Sequence, residues 1–136
     1  MLSSLRLPKR RGEWAELQFA SKATLRGFTV SRPWGDSAPY DFVLEHDGKF
    51  MSIQVKSTTY KAGNSYVCNI RANANHSYYT AKEVDFMALY IIPKDIWYIV
   101  PIQEALKVKS SLFLNPHDLN SKYKKFKEAW QLFTKR

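Results

Sequence analysis

Apolar positions recur along this chain with two periods, and the switches between them mark out its elements. From Gly12 to Arg26 the spacing is helical: Trp14, Leu17, Ala20 or Ser21, and Ala23 or Thr24 fall three or four residues apart, and Gly27 stands where a helix would end. Phe28 to Ser31 reads as a short strand, and RPWGDSAP at 32–39 as a loop rich in turn formers. Tyr40 to Glu45 and Lys49 to Lys56 alternate apolar and polar positions on either side of Asp47-Gly48, the strongest hairpin signal in the chain. Lys61 to Asn64 reads as a turn and Ser65 to Arg71 as another strand. Val84 to Ile92 and Ile96 to Ile102 are apolar enough for buried strands, joined through Pro93-Lys94-Asp95. Gln103 to Lys107 suits a helical turn, and Ser111 to Leu114 a short edge strand. Tyr123, Phe126, Trp130 and Phe133 then predict an amphipathic C-terminal helix with an aromatic stripe. The pattern as a whole predicts one α/β domain with helices packed on a mixed sheet.

Length and composition narrow the class. The 136 residues, 45% hydrophobic and 15% aromatic, suit one folded domain and exclude wholesale disorder. No run approaches the roughly 18 apolar residues of a membrane span, and the start, MLSSLRLPKRRGEW, lacks the apolar core of a signal peptide. The single cysteine, Cys68, excludes an internal disulfide framework and fits a reducing, cytoplasmic setting. Lys and Arg number 21 against 12 acids, a net charge of +9, which is the electrostatic footprint of a polyanion binder. The excess is concentrated at two places. Arg6, Lys9, Arg10 and Arg11 make residues 1–11 a basic arm ahead of a single domain at 12–136. Lys122, Lys124, Lys125 and Lys127, with Lys135 and Arg136, face only Glu128 in the tail. Such clusters bind phosphate backbones in a sequence-independent, salt-sensitive way, so DNA is favoured over a membrane surface.

Candidate chemistry gathers on the hairpin. Asp41 begins its first strand, and pairing through Asp47-Gly48 brings it opposite the end of the second, Ile53-Gln54-Val55-Lys56. Side chains alternate along a strand, so Gln54 and Lys56 share one face. Glu13 and Glu16, three apart on the first helix, share a face that could reach the same spot. A carboxylate, a second oxygen ligand and a lysine suit a Mg²⁺ site acting on a phosphodiester. A solvated edge strand with no chemistry fits the same pattern. Trp34 and Tyr40 flank the loop beside Asp41 and suit either stacking on a nucleotide or packing the loop. His46, His76 and His117 are too dispersed for a metal pair.

Glu16, Pro39-Tyr40-Asp41 and Gln54-Val55-Lys56 resemble the PD-(D/E)XK nuclease superfamily. The stretches GEWAELQF, GFTVSRPWGDSAPYDFVLE, QVKST, VDFMALYIIP, WYIVP and FKEAWQLF resemble its group I intron-associated branch, over nearly the whole chain. The resemblance implies a restriction-endonuclease-like core with a central mixed sheet flanked by helices. It implies a metal-dependent DNA endonuclease of homing type, with Asp41 as the main metal-ligating carboxylate, Glu16 as the supporting helix acid and Lys56 as the catalytic lysine. Gln54 stands where most of the superfamily has Asp or Glu, so the site carries one negative charge fewer, and its amide oxygen would be a neutral ligand. The implied ion is Mg²⁺, with Mn²⁺ as a substitute. Double-stranded DNA is the implied partner, and one site per small chain suits a homodimer or higher homo-oligomer. A junction resolvase or repair nuclease, and a silent DNA-binding module of the same fold, are the alternatives.

Overall fold

A computed structural model describes residues 2–71 and 79–135. His76, one of the dispersed histidines, and the terminal Arg136 lie outside the described residues. A short 3-10 turn, Ser3–Arg6, leads into α1, Pro8–Leu25. The helix therefore begins ahead of Gly12, and Lys9, Arg10 and Arg11 of the expected N-terminal arm form its first turn. Pro8 explains the early start: its ring presets the helical φ, and its missing N–H is an orphan at that position anyway. The helix ends as its sequence predicts. Gly27, at φ +90°, lets its own N–H reach Thr24 O at 3.0 Å and Phe28 N–H reach Ala23 O at 3.1 Å, satisfying carbonyls that the last turn leaves open.

Five strands form the central sheet in the order β1-β2-β3-β6-β7: β1 Thr29–Ser31, β2 Phe42–His46, β3 Lys49–Thr58, β6 Phe86–Ile91 and β7 Ile96–Pro101. The β2–β3 hairpin turns through Asp47 and Gly48, both at positive φ (51° and 77°), as a tight two-residue turn requires. β3 and β6 run parallel and every other pairing is antiparallel, so the sheet is mixed. A second sheet was not legible in the sequence: β4 Lys61–Ala62, β5 Ser65–Asn69 and β8 Ser111–Leu114 pair in the order β4-β5-β8. The turn expected over Lys61 to Asn64 thus opens with β4. The short helix α2, Ile102–Ala105, falls near the expected helical turn.

Two cores follow, one on each face of the central sheet. On one face α1 contributes Ala15, Phe19 and Ala23, which pack on Phe42, Leu44, Ile53, Val55, Ala88 and Ile99. This seam corrects the one read from the sequence: Leu17 points into solvent at 67% exposure and Trp14 is half-buried. An i, i+4, i+8 row of small and aromatic residues lets the helix lie closer to the sheet than Leu17 would. Phe19 sits among Phe42, Trp97 and Trp130, with ring centroids 5.5–5.6 Å away, and Phe133 at 6.2 Å. On the other face Met87, Leu89, Tyr98 and Val100 pack on the small sheet through Tyr66, Cys68, Leu112 and Leu114.

The C-terminal segment is not the continuous helix that its periodicity predicts. Two short 3-10 turns, Lys124–Phe126 and Trp130–Thr134, are separated at Glu128, whose φ is +48°. Tyr123 and Phe126 belong to the small-sheet core, whereas Trp130 and Phe133 belong to the α1 core. The segment therefore crosses the edge of β7 from one face of the sheet to the other, which a single straight helix cannot do. Glu128 makes the crossing: its N–H donates to Trp97 O at 2.7 Å, and its carboxylate accepts Trp97 N–H at 2.7 Å and the Trp130 indole N–H at 2.8 Å.

Candidate active site

Asp41 is fixed by the hairpin backbone. Its N–H donates to Ile53 O at 2.9 Å, and its carboxylate accepts Val55 N–H at 2.8 Å. Asp41 stands one residue before β2, so its carboxylate takes a β3 N–H beyond the first ladder pair, Phe42 with Ile53. On β3, Ile53 and Val55 enter the α1 core. Gln54 and Lys56 pair in register with Met87 and Leu89 and lie half-buried on the opposite face. The Lys56 ammonium donates to Arg71 O at 2.9 Å and stands 5.5 Å from the centre of the Tyr79 ring. Burial lowers its pKa from the usual lysine value, opposed by the nearby Cys68 and Asp41.

Glu16 approaches from the other layer. β1 stops at Ser31, opposite Val43, so the loop after it leaves a notch beside Asp41. This notch, of about 160 Å³, is lined by Glu16, Arg32, Pro33, Gly35, Asp36, Ala38, Tyr40 and Asp41. The structure thus brings Glu16 and Asp41 together and sets the charge of Lys56 near Asp41, whereas Gln54 is placed only by its strand register with Met87, on the face of Lys56. Glu13 lines a neighbouring cleft with Glu16 and Arg32, and its charge adds to the repulsion on Glu16. Both acids are held above the ordinary carboxylate range. For Glu16 the causes are burial and then the charge of Asp41, eased by Arg32, whose guanidinium is 3.8 Å away. For Asp41 burial outweighs the Val55 hydrogen bond and the charges of Lys56 and Arg32.

Two partly buried carboxylates with surplus negative charge form a hard-oxygen donor set, which suits a divalent cation. Among the described residues no group of three His, Cys, Asp or Glu side chains gathers for a metal. A third protein ligand here would have to be the Gln54 amide or a backbone oxygen, with the remaining positions left to water and phosphate.

The basic residues fall into two groups carried by different layers. Arg6 and the first turn of α1 belong to the helical layer, where the Arg11 guanidinium donates to Leu5 O at 3.3 Å and Arg10 borders a cleft with Trp14. Lys122 and Lys125 ride over Tyr123 and Phe126 on the small-sheet side, at 5.5 and 5.2 Å, and Lys124 is exposed beside them. Lys127 donates to Pro116 O at 3.0 Å.

Sequence reasoning missed Arg32 and Tyr79. Arg32 follows directly on a strand and precedes the loop to Asp41, which is a weak signal available in the sequence. Tyr79, its phenol pushed up to about 12 chiefly by burial, lies far from Lys56 in sequence and left no signal at all. The loop aromatics separate cleanly: Tyr40 packs against the small-sheet core, whereas Trp34 is fully exposed.

Comparison with known proteins adds to the geometry. A family model described as PD-(D/E)XK endonuclease matches residues 7–133. The solved structure of a bacterial homing endonuclease, I-Ssp6803I, superimposes with a TM-score of 0.81 at 25% sequence identity, covering 93% of each chain. No curated protein sequence matches.

Proposed function

The chain belongs to the PD-(D/E)XK endonuclease family, and from that premise we propose that it is a Mg²⁺-dependent endonuclease that cuts double-stranded DNA at specific sites, as a homing enzyme does. The observation that carries this reading is the convergence of Glu16 and Asp41 on one notch, with Lys56 held beside Asp41 across the hairpin. Enzymes of this family generally use divalent metals. The structural likeness to a homing endonuclease supports the site-specific role, and the net charge of +9 supports DNA as the partner.

Asp41, Glu16 and the Gln54 amide oxygen would hold Mg²⁺. When bound, the ion would neutralise charge on the phosphodiester and acidify a water molecule. The protein's own groups do the rest. Asp41 is presented rigidly because its second hydrogen-bonding partner is backbone, so its carboxylate cannot swing away. Lys56, tethered to Arg71 O, keeps its ammonium at a fixed height over the sheet, where it orients the attacking water and stabilises charge building on the phosphate oxygens. Its lowered pKa makes it a better proton carrier than an exposed lysine. The water oxygen bonds to phosphorus and gives up a proton, the bond from phosphorus to the leaving oxygen breaks, and that oxygen takes up a proton. With one such site per chain, cutting both strands calls for two copies of the protein.

The test is a low-salt cleavage panel on plasmid, genomic and four-way-junction DNA with Mg²⁺, Mn²⁺ or EDTA. Discrete metal-dependent cuts on duplex that vanish in Lys56→Ala, a loss of at least about a hundredfold, are expected. Cutting confined to the junction would make the enzyme a resolvase. Binding without cutting, unchanged by metal, would leave a silent DNA-binding module.

A further inference from the structure

We propose that Trp34 is a stacking site for a nucleobase displaced from the duplex beside the phosphate that is cut. The proposal rests on the endonuclease reading above and adds to it a contact with a base face. Of the four tryptophans, Trp97 and Trp130 are buried and Trp14 is half-buried, whereas the Trp34 indole is 100% exposed. A lone exposed apolar side chain needs no explanation in general, but here position and tether single it out. Arg32, Pro33, Gly35 and Asp36, its neighbours on both sides, line the notch that holds Glu16 and Asp41. The indole itself is absent from that lining and stands at its rim in solvent. It does not hold the loop to the protein either, because Tyr40 does so from the same loop by packing on the core.

The tether is short, and a proline restricts it on one side. Pro33 fixes the backbone on one side, and Gly35 takes a left-handed φ of +78° on the other. An indole has two rotatable bonds, so ordering it against a flat partner costs little entropy. Arg32 lies two residues away with its guanidinium at the notch, where it can meet the phosphate of the same nucleotide. A base in regular duplex hides both faces against its neighbours. The indole can therefore find its partner only at an unpaired base or at a step that it wedges open.

The experiment compares wild type, Trp34→Ala and Trp34→Phe in Ca²⁺, on a labelled duplex and on the same duplex carrying one unpaired base. Because the indole is fully exposed, both variants are expected to fold, which near-ultraviolet circular dichroism checks. Trp34→Ala is expected to weaken binding to the bulged duplex about tenfold, the effect of losing one base stack, with Trp34→Phe retaining most of the affinity. The dependence of affinity on salt stays unchanged, since no phosphate contact is lost. Binding also shields the emission that iodide quenches in the wild type. Equal affinities for wild type and Trp34→Ala, a shallower salt dependence, or quenching unaffected by DNA would each overturn the proposal while leaving the endonuclease reading intact. Failure of the wild type to bind either DNA would overturn both.

Discussion

Glu16 and Asp41 oppose the stability of the metal-free fold. Each has its pKa raised above the ordinary carboxylate value, mainly by burial, and the charge of Asp41 adds to the shift on Glu16. The folded chain thus holds these protons more tightly than the unfolded one, so stability is full below the ordinary carboxylate range and falls as pH rises through the raised values. The penalty grows toward neutral pH. Glu16→Gln removes one of the two charges and should raise the melting temperature of the metal-free protein at pH 7, on the order of 2 °C, with little gain at pH 4. Added Mg²⁺ should then stabilise the wild type more than the variant. Calorimetry at the two pH values decides it, and a lower melting temperature for Glu16→Gln at pH 7 would count against the repulsion. At this scale Asp41 and the shared face of Gln54 and Lys56 were legible from strand alternation and the Asp47-Gly48 turn. Arg32 was not, because its nearness to Glu16 depends on where β1 stops, which no local pattern encodes.

Among the elements, the hairpin was read correctly because its signal is local: two residues at positive φ between alternating runs. The first helix is legible but not its buried face, since both Leu17 and Phe19 lie at helical spacings and only contact with the sheet chooses between them. The C-terminal segment failed for a different reason. Intervals of three and four residues serve two short turns on opposite faces of a sheet as well as one helix. Glu128 makes that crossing possible, so Glu128→Ala should cost about 2–3 kcal/mol, the loss of charged hydrogen bonds to two buried indole-bearing residues. Urea unfolding checks this: the midpoint should fall with an unchanged slope. A near-neutral result would mean that Trp130 and Phe133 hold the segment without it.

For the whole molecule, the charge excess was plain in the sequence, whereas its distribution over two layers was not. The small sheet depends on pairings between residues distant in the chain, such as Cys68 with Leu112, and these leave no periodic trace. The lysines of the last segment ride on that sheet's side. Should they touch DNA, replacing Lys124 and Lys125 together would shallow the slope of log affinity against log salt by about two units. An unchanged slope in a titration across salt concentrations would confine the DNA surface to the helical layer and the notch.

The aromatic cluster around Phe19 has a temporal consequence. All four proposed site residues precede position 57, so a ribosome has already joined them while much of the chain is unmade. Yet the helix that carries Glu16 is seated through Phe19, and two of that ring's partners, Trp130 and Phe133, are translated long after Lys56. A nascent chain therefore possesses the reactive side chains before it possesses the clamp that aligns them. Alignment of Glu16 therefore waits on two rings that join the chain well after every proposed site residue.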